Sequence, residues 1–437
     1  MTVESSSKVE PNSEAVVSHL VDHLFRHEAG KMVSSLTHTL GLENLQLAED
    51  AVQDALLKAM RNWPFAGIPQ NPSAWLTQVA RNYALDVVRR AQNFRTKENE
   101  IALLLESRAD RGPQSDRTYF DDEIRDNQLQ MMFACCHPAL PQEAQVALTL
   151  KTLCGFGEQE IAAAFLISSP AVAKRLVRAR RTIRKAAITF EIPAGKELSQ
   201  RVDAVLQALY LLFNEGYKAS HGDELVRKEL CQEAIRLITL LVQHPSGNQP
   251  KTHALLALML FNAARLSSRA DTAGNILLLA QQDRSLWDKT MIARGLIHLN
   301  LSAAGEEISE FHLQAGIASC HCTAGSYQGT DWTRILCLYD LLIEINRSPV
   351  IALNRAVAVS HVHGPAAASA AIDAIPEKRM LENYYLFHAV VAQIHLELND
   401  LEFATREFQR ARELTGSNSE RVFLEKRLKE CKAWLAA

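Results

Sequence analysis

Seven cations fall within residues 174–185: Lys174, Arg175, Arg178, Arg180, Arg181, Arg184 and Lys185, with no carboxylate among them. Such groups on one segment bind phosphate, and those that reach past the phosphates read base edges. A second group, Asn82, Asp86, Arg89 and Arg90 with Gln78 and Arg81, mixes amide and guanidinium donors. Donors of that kind bond bases and phosphates together. In a third group Gln53 lies between Asp50 and Asp54. Like charges four residues apart slightly weaken an isolated helix, so the pair points to a cationic partner. Taken alone, each of these charge groups also fits an ordinary solvated face.

Enzyme chemistry finds less support. The tracts Cys135–Cys136–His137 and Cys320–His321–Cys322 contain metal-ligand types, but no second pair stands at zinc-finger spacing. The phosphate-cradling pattern GxxxxGK[ST] is absent. Asn214–Glu215, Asp283–Arg284 and Trp287–Asp288 allow a catalytic reading with Glu215 as base and Arg284 as anion clamp. Buried polar pairs that fix helix register explain them more simply. The expectation is a protein without catalytic residues, metal or cofactor.

The elements that must carry these groups follow from hydrophobic spacing. In SSPAVAKRLVRARRTIRKAA, Val172, Leu176, Ala179 and Ile183 form one stripe with every cation off it. Ser169 suits the N-cap, and Pro170 the first helical position. The preceding EQEIAAAF reads as a helix, which makes a helix-turn-helix whose second helix is the cationic one. Leu166 and Ile167 occupy the turn, where glycine is commonest. Upstream, LAEDAVQDALLKAMRNW places Ala48, Val52, Leu56, Ala59 and Trp63 on one face, away from Asp50 and Asp54. In NPSAWLTQVARNYALDVVRRAQ, Asn71 is the expected N-cap, and Trp75, Val79, Tyr83 and Val87 the expected core stripe.

The whole chain has 437 residues and a net charge of −3, so any affinity for nucleic acid must come from local charge placement. Residues 1–190 carry 22 Lys and Arg against 22 Asp and Glu. Alternating segments are nearly absent, and the chain reads as all-α. No run of eighteen apolar residues exists and MTVESSSKVEPNSE lacks an apolar signal region, so a cytoplasmic protein without membrane contact is expected. The eight cysteines suit reduced thiols. Near the C-terminus, LEFATREFQRAREL sets Ala404, Phe408, Ala411 and Leu414 at tetratricopeptide spacing, and the turn at Gly364 precedes that at Asn399–Asp400 by 35 residues.

AEDAVQDALLKAM followed by WLTQVARNYALDVVRR, then a linker and a helix-turn-helix ending in RARRTIR, resembles the bacterial extracytoplasmic-function (ECF) sigma factors. MMFACCHPALPQEAQVALTLKTLCGF, LYLLFNEGY, LLALMLFNAAR, QQDRSLWD and SPVIALNRAVAV are similar to the ECF subgroup with a long tetratricopeptide-like extension. The resemblance implies sigma region 2 at 14–95, a linker at 96–125, region 4 at 126–190 and a helical regulatory domain at 198–437. It assigns Asp50, Gln53 and Asp54 to RNA polymerase core binding. Asn82, Asp86, Arg89 and Arg90 would hold the melted −10 element, and Ala171, Lys174, Arg175, Arg178 and Arg181 the duplex −35 element. The function implied is promoter-specific transcription initiation, modulated by the fused domain, which would take a protein or ligand of its own. The competing reading is a helix-turn-helix regulator or scaffold acting outside holoenzyme, with the C-terminal domain binding a ligand or protein.

Overall fold

A computed structural model describes residues 12–92, 126–186, 196–218, 226–271 and 274–435; the expected linker at 96–125 lies outside them. Among the described residues the named elements are helices, with one isolated bridge between Ala270 and Ile276. The all-α expectation holds. The chain divides into two compact units, Met1–Ala208 and Leu209–Ala437. No described helix is long and apolar enough to cross a membrane.

The N-terminal unit begins with α1 (Asn12–Leu40), α2 (Leu45–Ala66) and α3 (Pro72–Gln92). Ala48, Val52, Leu56, Ala59 and Trp63 of α2 are all buried, as their spacing predicts. Asn71 caps α3 by accepting from the Ala74 amide at 3.0 Å. The α3 core stripe differs from the expected one. Leu76, Ala80 and Ala84 are fully buried with Val88 beside them, whereas Trp75, Val79, Tyr83 and Val87 are only half-buried. Small alanines let helix axes approach, so the bulky residues one position earlier are turned to the rim. There Trp75 meets Trp63 edge-on at 5.4 Å.

Four more helices follow: α4 (Asn127–Cys135), α5 (Gln142–Leu153), α6 (Glu158–Phe165) and α7 (Ser169–Lys185). Asp126 caps α4 by accepting from the amides of Gln128 and Leu129. α1 packs on both α4 and α5. Gly30 marks that crossing: a Cβ there would stand 2.1 Å from the Leu153 carbonyl oxygen, so only glycine fits. Ser34 adds a hydrogen bond to the Asn127 carbonyl at 2.6 Å. The helix α8 (Lys196–Tyr217) starts in this unit, where Arg201 donates to the Phe133 carbonyl at 3.1 Å.

The C-terminal unit stacks α9 (Lys228–Gln243), α10 (Pro250–Ala263), α11 (Lys289–Ser302), α12 (Glu310–Thr323), α13 (Trp332–Ile345), α14 (Pro349–His363), α15 (Pro365–Asp373), α16 (Tyr385–Glu397), α17 (Leu401–Leu414) and α18 (Asn418–Leu435). α10 is apolar nearly all round and is buried between α11 and α12. Ala404, Phe408 and Ala411 of α17 are buried against α16 and α18, while Leu414 is half-buried. Gly364 and Asn399, at the two turns spaced by 35 residues, both have positive φ, 86° and 63°. Seven of the eight cysteines are buried as free thiols; Cys337 is exposed.

Candidate nucleic-acid interface

The turn between α6 and α7 is built without glycine. Leu166 takes the left-handed conformation itself, φ 52° and ψ 40°, and its amide donates to the Ala163 carbonyl at 3.3 Å. A left-handed non-glycine residue costs about 1–2 kcal/mol. Ser168, and not Ser169, is the residue before α7, and its side chain makes no capping bond. Ser169 is already helical and Pro170 follows in the first turn, a shift of one position from the expectation. On the other side of the motif, Glu160 accepts from the Gly157 amide at 2.6 Å and closes the start of α6.

Val172, Leu176, Ala179 and Ile183 of α7 are buried to within 2% against α5 and α6. Burying a leucine-sized side chain contributes roughly 1.5–3 kcal/mol, enough to hold the helix by this one stripe. The rest of α7 splits into two classes. Ala171, Lys174, Arg178, Arg181, Arg184 and Lys185 are exposed, and these five cations make no ion pair with a described residue. Arg175 and Arg180 are committed to the protein. Arg175 pairs with Glu143 of α5 at 2.5 Å and lies 5.4 Å from the Phe165 ring. Arg180 donates to both oxygens of Glu49 at 2.9 and 3.2 Å, and Thr152 donates to the same carboxylate at 2.7 Å. Glu49 belongs to α2, so this contact ties the cationic helix to the helix that carries Asp50.

On α3, Asn82, Asp86, Arg89 and Arg90 are all exposed. Asn82 accepts from Gln78 at 2.9 Å, one turn away on the same face. On α2, Asp50 and Gln53 are exposed, and Asp50 accepts from Gln46 at 2.9 Å. Asp54 is half-buried and pairs with Lys58 of its own helix at 2.9 Å. The like-charge strain that the sequence suggested is thereby relieved inside the helix.

Sequence reading missed two features here. Glu49, 131 residues from Arg180, carries no local signal for its role. Leu57 and Met60 continue the Asp50–Gln53 face at helical spacing and are 45% and 46% exposed, with Phe65 at 79% beyond them. Apolar residues lying off the buried stripe of α2 were the available clue.

The cysteines of the two metal-type tracts are buried. Burial pushes the Cys136 thiol up to about 12, and the Cys135 thiol is raised by the same cause. Burial pushes Cys322 up to about 11, and its sulphur points to the Phe261 carbonyl at 3.4 Å. Among the described residues no three His, Cys, Asp or Glu side chains gather as metal ligands. Glu215 pairs with Arg227 at 3.0 Å, in line with the structural reading of that carboxylate.

Residues 24–94 match the sigma-70 region 2 family and residues 130–183 the sigma-70 region 4 family. Residues 201–303 match a family of unknown function, DUF6596. An uncharacterized protein of Rhizobium meliloti (strain 1021) is 37% identical over 388 residues, covering 88% of this chain and 90% of its own length. A protein of Xanthomonas campestris pv. campestris named "Probable RNA polymerase sigma factor RfaY" is 28% identical over 181 residues, 39% of this chain and 44% of its own length. No solved structure matches the chain. A helix-turn-helix with a free cationic face, joined to a region 2 helical unit and followed by a long helical extension, thus coincides with both sigma-70 matches, and the chain belongs to the ECF-type sigma factors, which direct transcription initiation.

Proposed function

We propose that the three exposed faces divide the work of initiation. Lys174, Arg178 and Arg181, with Ala171 giving close approach, read the −35 duplex from the major groove. Arg175 takes part only if it leaves Glu143, so its contribution is the smallest of the set. Asn82, Asp86, Arg89 and Arg90 take the opened −10 strand, where amides meet bases and guanidiniums track phosphates. Asp50, Gln53, Leu57 and Met60 dock on polymerase core, the carboxylate and amide flanking an apolar centre. Asp54 supports the same face through Lys58. The observation that carries this reading is the division of α7 into a buried apolar stripe and five exposed cations that pair with no described residue.

The arrangement of the N-terminal unit adds a requirement. Arg180 touches α2, and α3 packs directly on α2, so both DNA-reading helices lie within about two helix diameters of one another. Promoter elements named for positions about 25 base pairs apart lie roughly 85 Å apart on B-form DNA. Engaging both therefore requires the Glu49–Arg180 contact to open. The 33 residues from 93 to 125 have a covalent reach of about 110 Å, which accommodates that separation. The domain at 198–437 acts on this opening as the regulatory part.

Run-off transcription with purified core polymerase tests the reading. The full chain is expected to direct initiation from a subset of a promoter library, and Asp50→Ala with Gln53→Ala to abolish it while duplex binding remains. Initiation that survives this double change overturns the assigned docking face. Glu49→Gln is expected to raise promoter binding if the contact restrains the unit.

A further inference from the structure

The C-terminal unit holds two arginines that pair with no carboxylate among the described residues. Arg265 follows α10, and Arg284 opens the short turn Arg284–Leu286 before α11. Both guanidiniums approach the Trp287 indole, at 5.8 Å for Arg265 and 4.5 Å for Arg284. Arg265 donates to the Tyr217 hydroxyl at 2.7 Å and to Asn262 at 2.9 Å, both neutral groups. Arg284 spends Nη1 on the carbonyls of His321 and Ala324, at 2.6 and 2.8 Å. Neither forms an ion pair with a carboxylate among the described residues. The acids next to them in sequence are engaged elsewhere: Asp283 accepts from the Ser285 amide and Asp288 from the Met291 amide.

Three polar atoms in this cluster are buried and have no partner among the described residues: Arg284 Nη2, Trp287 Nε1 and His321 Nδ1. Trp287 itself is only 4% exposed, so its N–H has no route to bulk water without movement. Buried donors are nearly always paired, and partly buried guanidiniums are ordinarily met by an acid. Burial holds His321 down at about 4, helped by Arg265 and Arg284, so its ring is a neutral partner at ordinary pH. An aromatic wall continues from there: His321 meets Trp332 edge-on at 5.3 Å, and Trp332 stacks on His361 at 3.7 Å, with Tyr327 bonded to His361 at 3.1 Å.

We infer that Arg265, Arg284 and Trp287 form a receptor for a small phosphorylated ligand, with His321 as a further polar contact and Trp332 and His361 as its aromatic wall. Two uncompensated positive charges match a phosphate dianion better than a single carboxylate. The free Nη2 and the indole N–H supply donors for two of its oxygens. Nothing in this inference depends on which promoter or polymerase face the N-terminal unit uses. Arg269 strengthens the positive field: its guanidinium lies 3.8 Å from the Tyr217 ring and donates to the Tyr217 carbonyl, with no ion pair to an acid among the described residues.

Calorimetric titration of the full chain with inorganic phosphate and with adenosine monophosphate tests it. Trp287→Phe keeps the ring and removes one donor, and is expected to weaken phosphate binding by roughly tenfold. Arg265→Gln should weaken it by a similar factor. Arg284→Ala also loses the two carbonyl bonds, so it is read only alongside Trp287→Phe, with thermal unfolding to check that the chain remains folded. Arg178→Ala with Arg181→Ala serves as the reference for phosphate held by the DNA-binding helix and should leave this binding unchanged. Tighter binding of adenosine monophosphate than of phosphate supports the aromatic wall; equal binding removes the wall from the site. Binding that is undetectable at millimolar phosphate, or indifferent to Trp287→Phe, overturns the inference. Preference for acetate over phosphate overturns it as well.

Discussion

The two units handle uncompensated positive charge in opposite ways. On α7 the cations that pair with no described residue stand out in solvent, spaced by the helical repeat. Around Trp287 the guanidiniums are half-buried, pressed against aromatic rings and pinned by carbonyl and hydroxyl groups. Exposed charge suits a polyanion, whose many phosphates reward number more than geometry, and it is readily screened by salt. Fixed charge among rings suits a single small anion, where each donor has one place to go. In the proposed roles the same residue type would serve extended binding in one unit and localised binding in the other. What differs is whether the neighbours are water or indole.

Removing the support under the exposed face should break the comparison most strongly. Leu176→Ala deletes the middle of the buried stripe, and is expected to cost about 2–5 kcal/mol in denaturant unfolding. Duplex binding should fall with it although no cation is touched. The second test uses pH and acts on the buried cluster. His321 sits at about 4 in the folded chain against an ordinary value of 6.5, with burial the main cause. Its contribution is therefore complete above pH 6.5 and is lost as pH falls from 6.5 toward 4, by up to about 3 kcal/mol. Burial holds His253, His298, His312 and His361 down as well, so acid acts on them in the same direction. Thermal unfolding followed from pH 7 to pH 4 should show the loss, and saturating phosphate should reduce it.

A finer test sharpens the exposed side. Arg178→Ala with Arg181→Ala should lower duplex affinity by roughly 10–100-fold and reduce the slope of log affinity against log salt by about 1.8. Unfolding stability should stay within about 0.5 kcal/mol. The smallest expected effect is at the turn. Leu166→Gly removes the left-handed penalty but frees the unfolded chain, for a net gain of at most about 1 kcal/mol in thermal unfolding. A loss there would mean that the leucine side chain packs in a way that outweighs its backbone strain.

Helical periodicity made the stripes of α2 and α7 legible residue by residue, because each sets an apolar line at helical spacing against a mostly polar remainder. It failed on α3, where the deepest positions are the alanines Ala80 and Ala84 and the large rings lie beside them. Side-chain size drew attention to Trp75 and Tyr83, but the closeness of neighbouring helices decided which line was buried. The exposure of the charged groups of α2, α3 and α7 was readable from their place off the apolar positions, even on α3 where the buried line itself was misread. The long-range pairs were not. Glu49 with Arg180, and Arg284 with the His321 carbonyl, join residues far apart in the chain, and no local pattern announces them. The pairing of Arg284 with a nearby tryptophan was visible in the sequence, yet the orphaned indole N–H could be found only in three dimensions.

The crossing of α1 over α5 at Gly30 gives the N-terminal unit a genetic weak point. Any codon change that adds even a methyl group puts it 2.1 Å from the Leu153 carbonyl oxygen, inside contact distance, and the two helices must part. One base substitution in a glycine codon is enough to supply that methyl. If closure restrains promoter engagement, spontaneous mutants selected for signal-independent transcription should recur at residue 30, on a helix that carries none of the side chains proposed to read DNA, and an alanine there would do it without a change in charge.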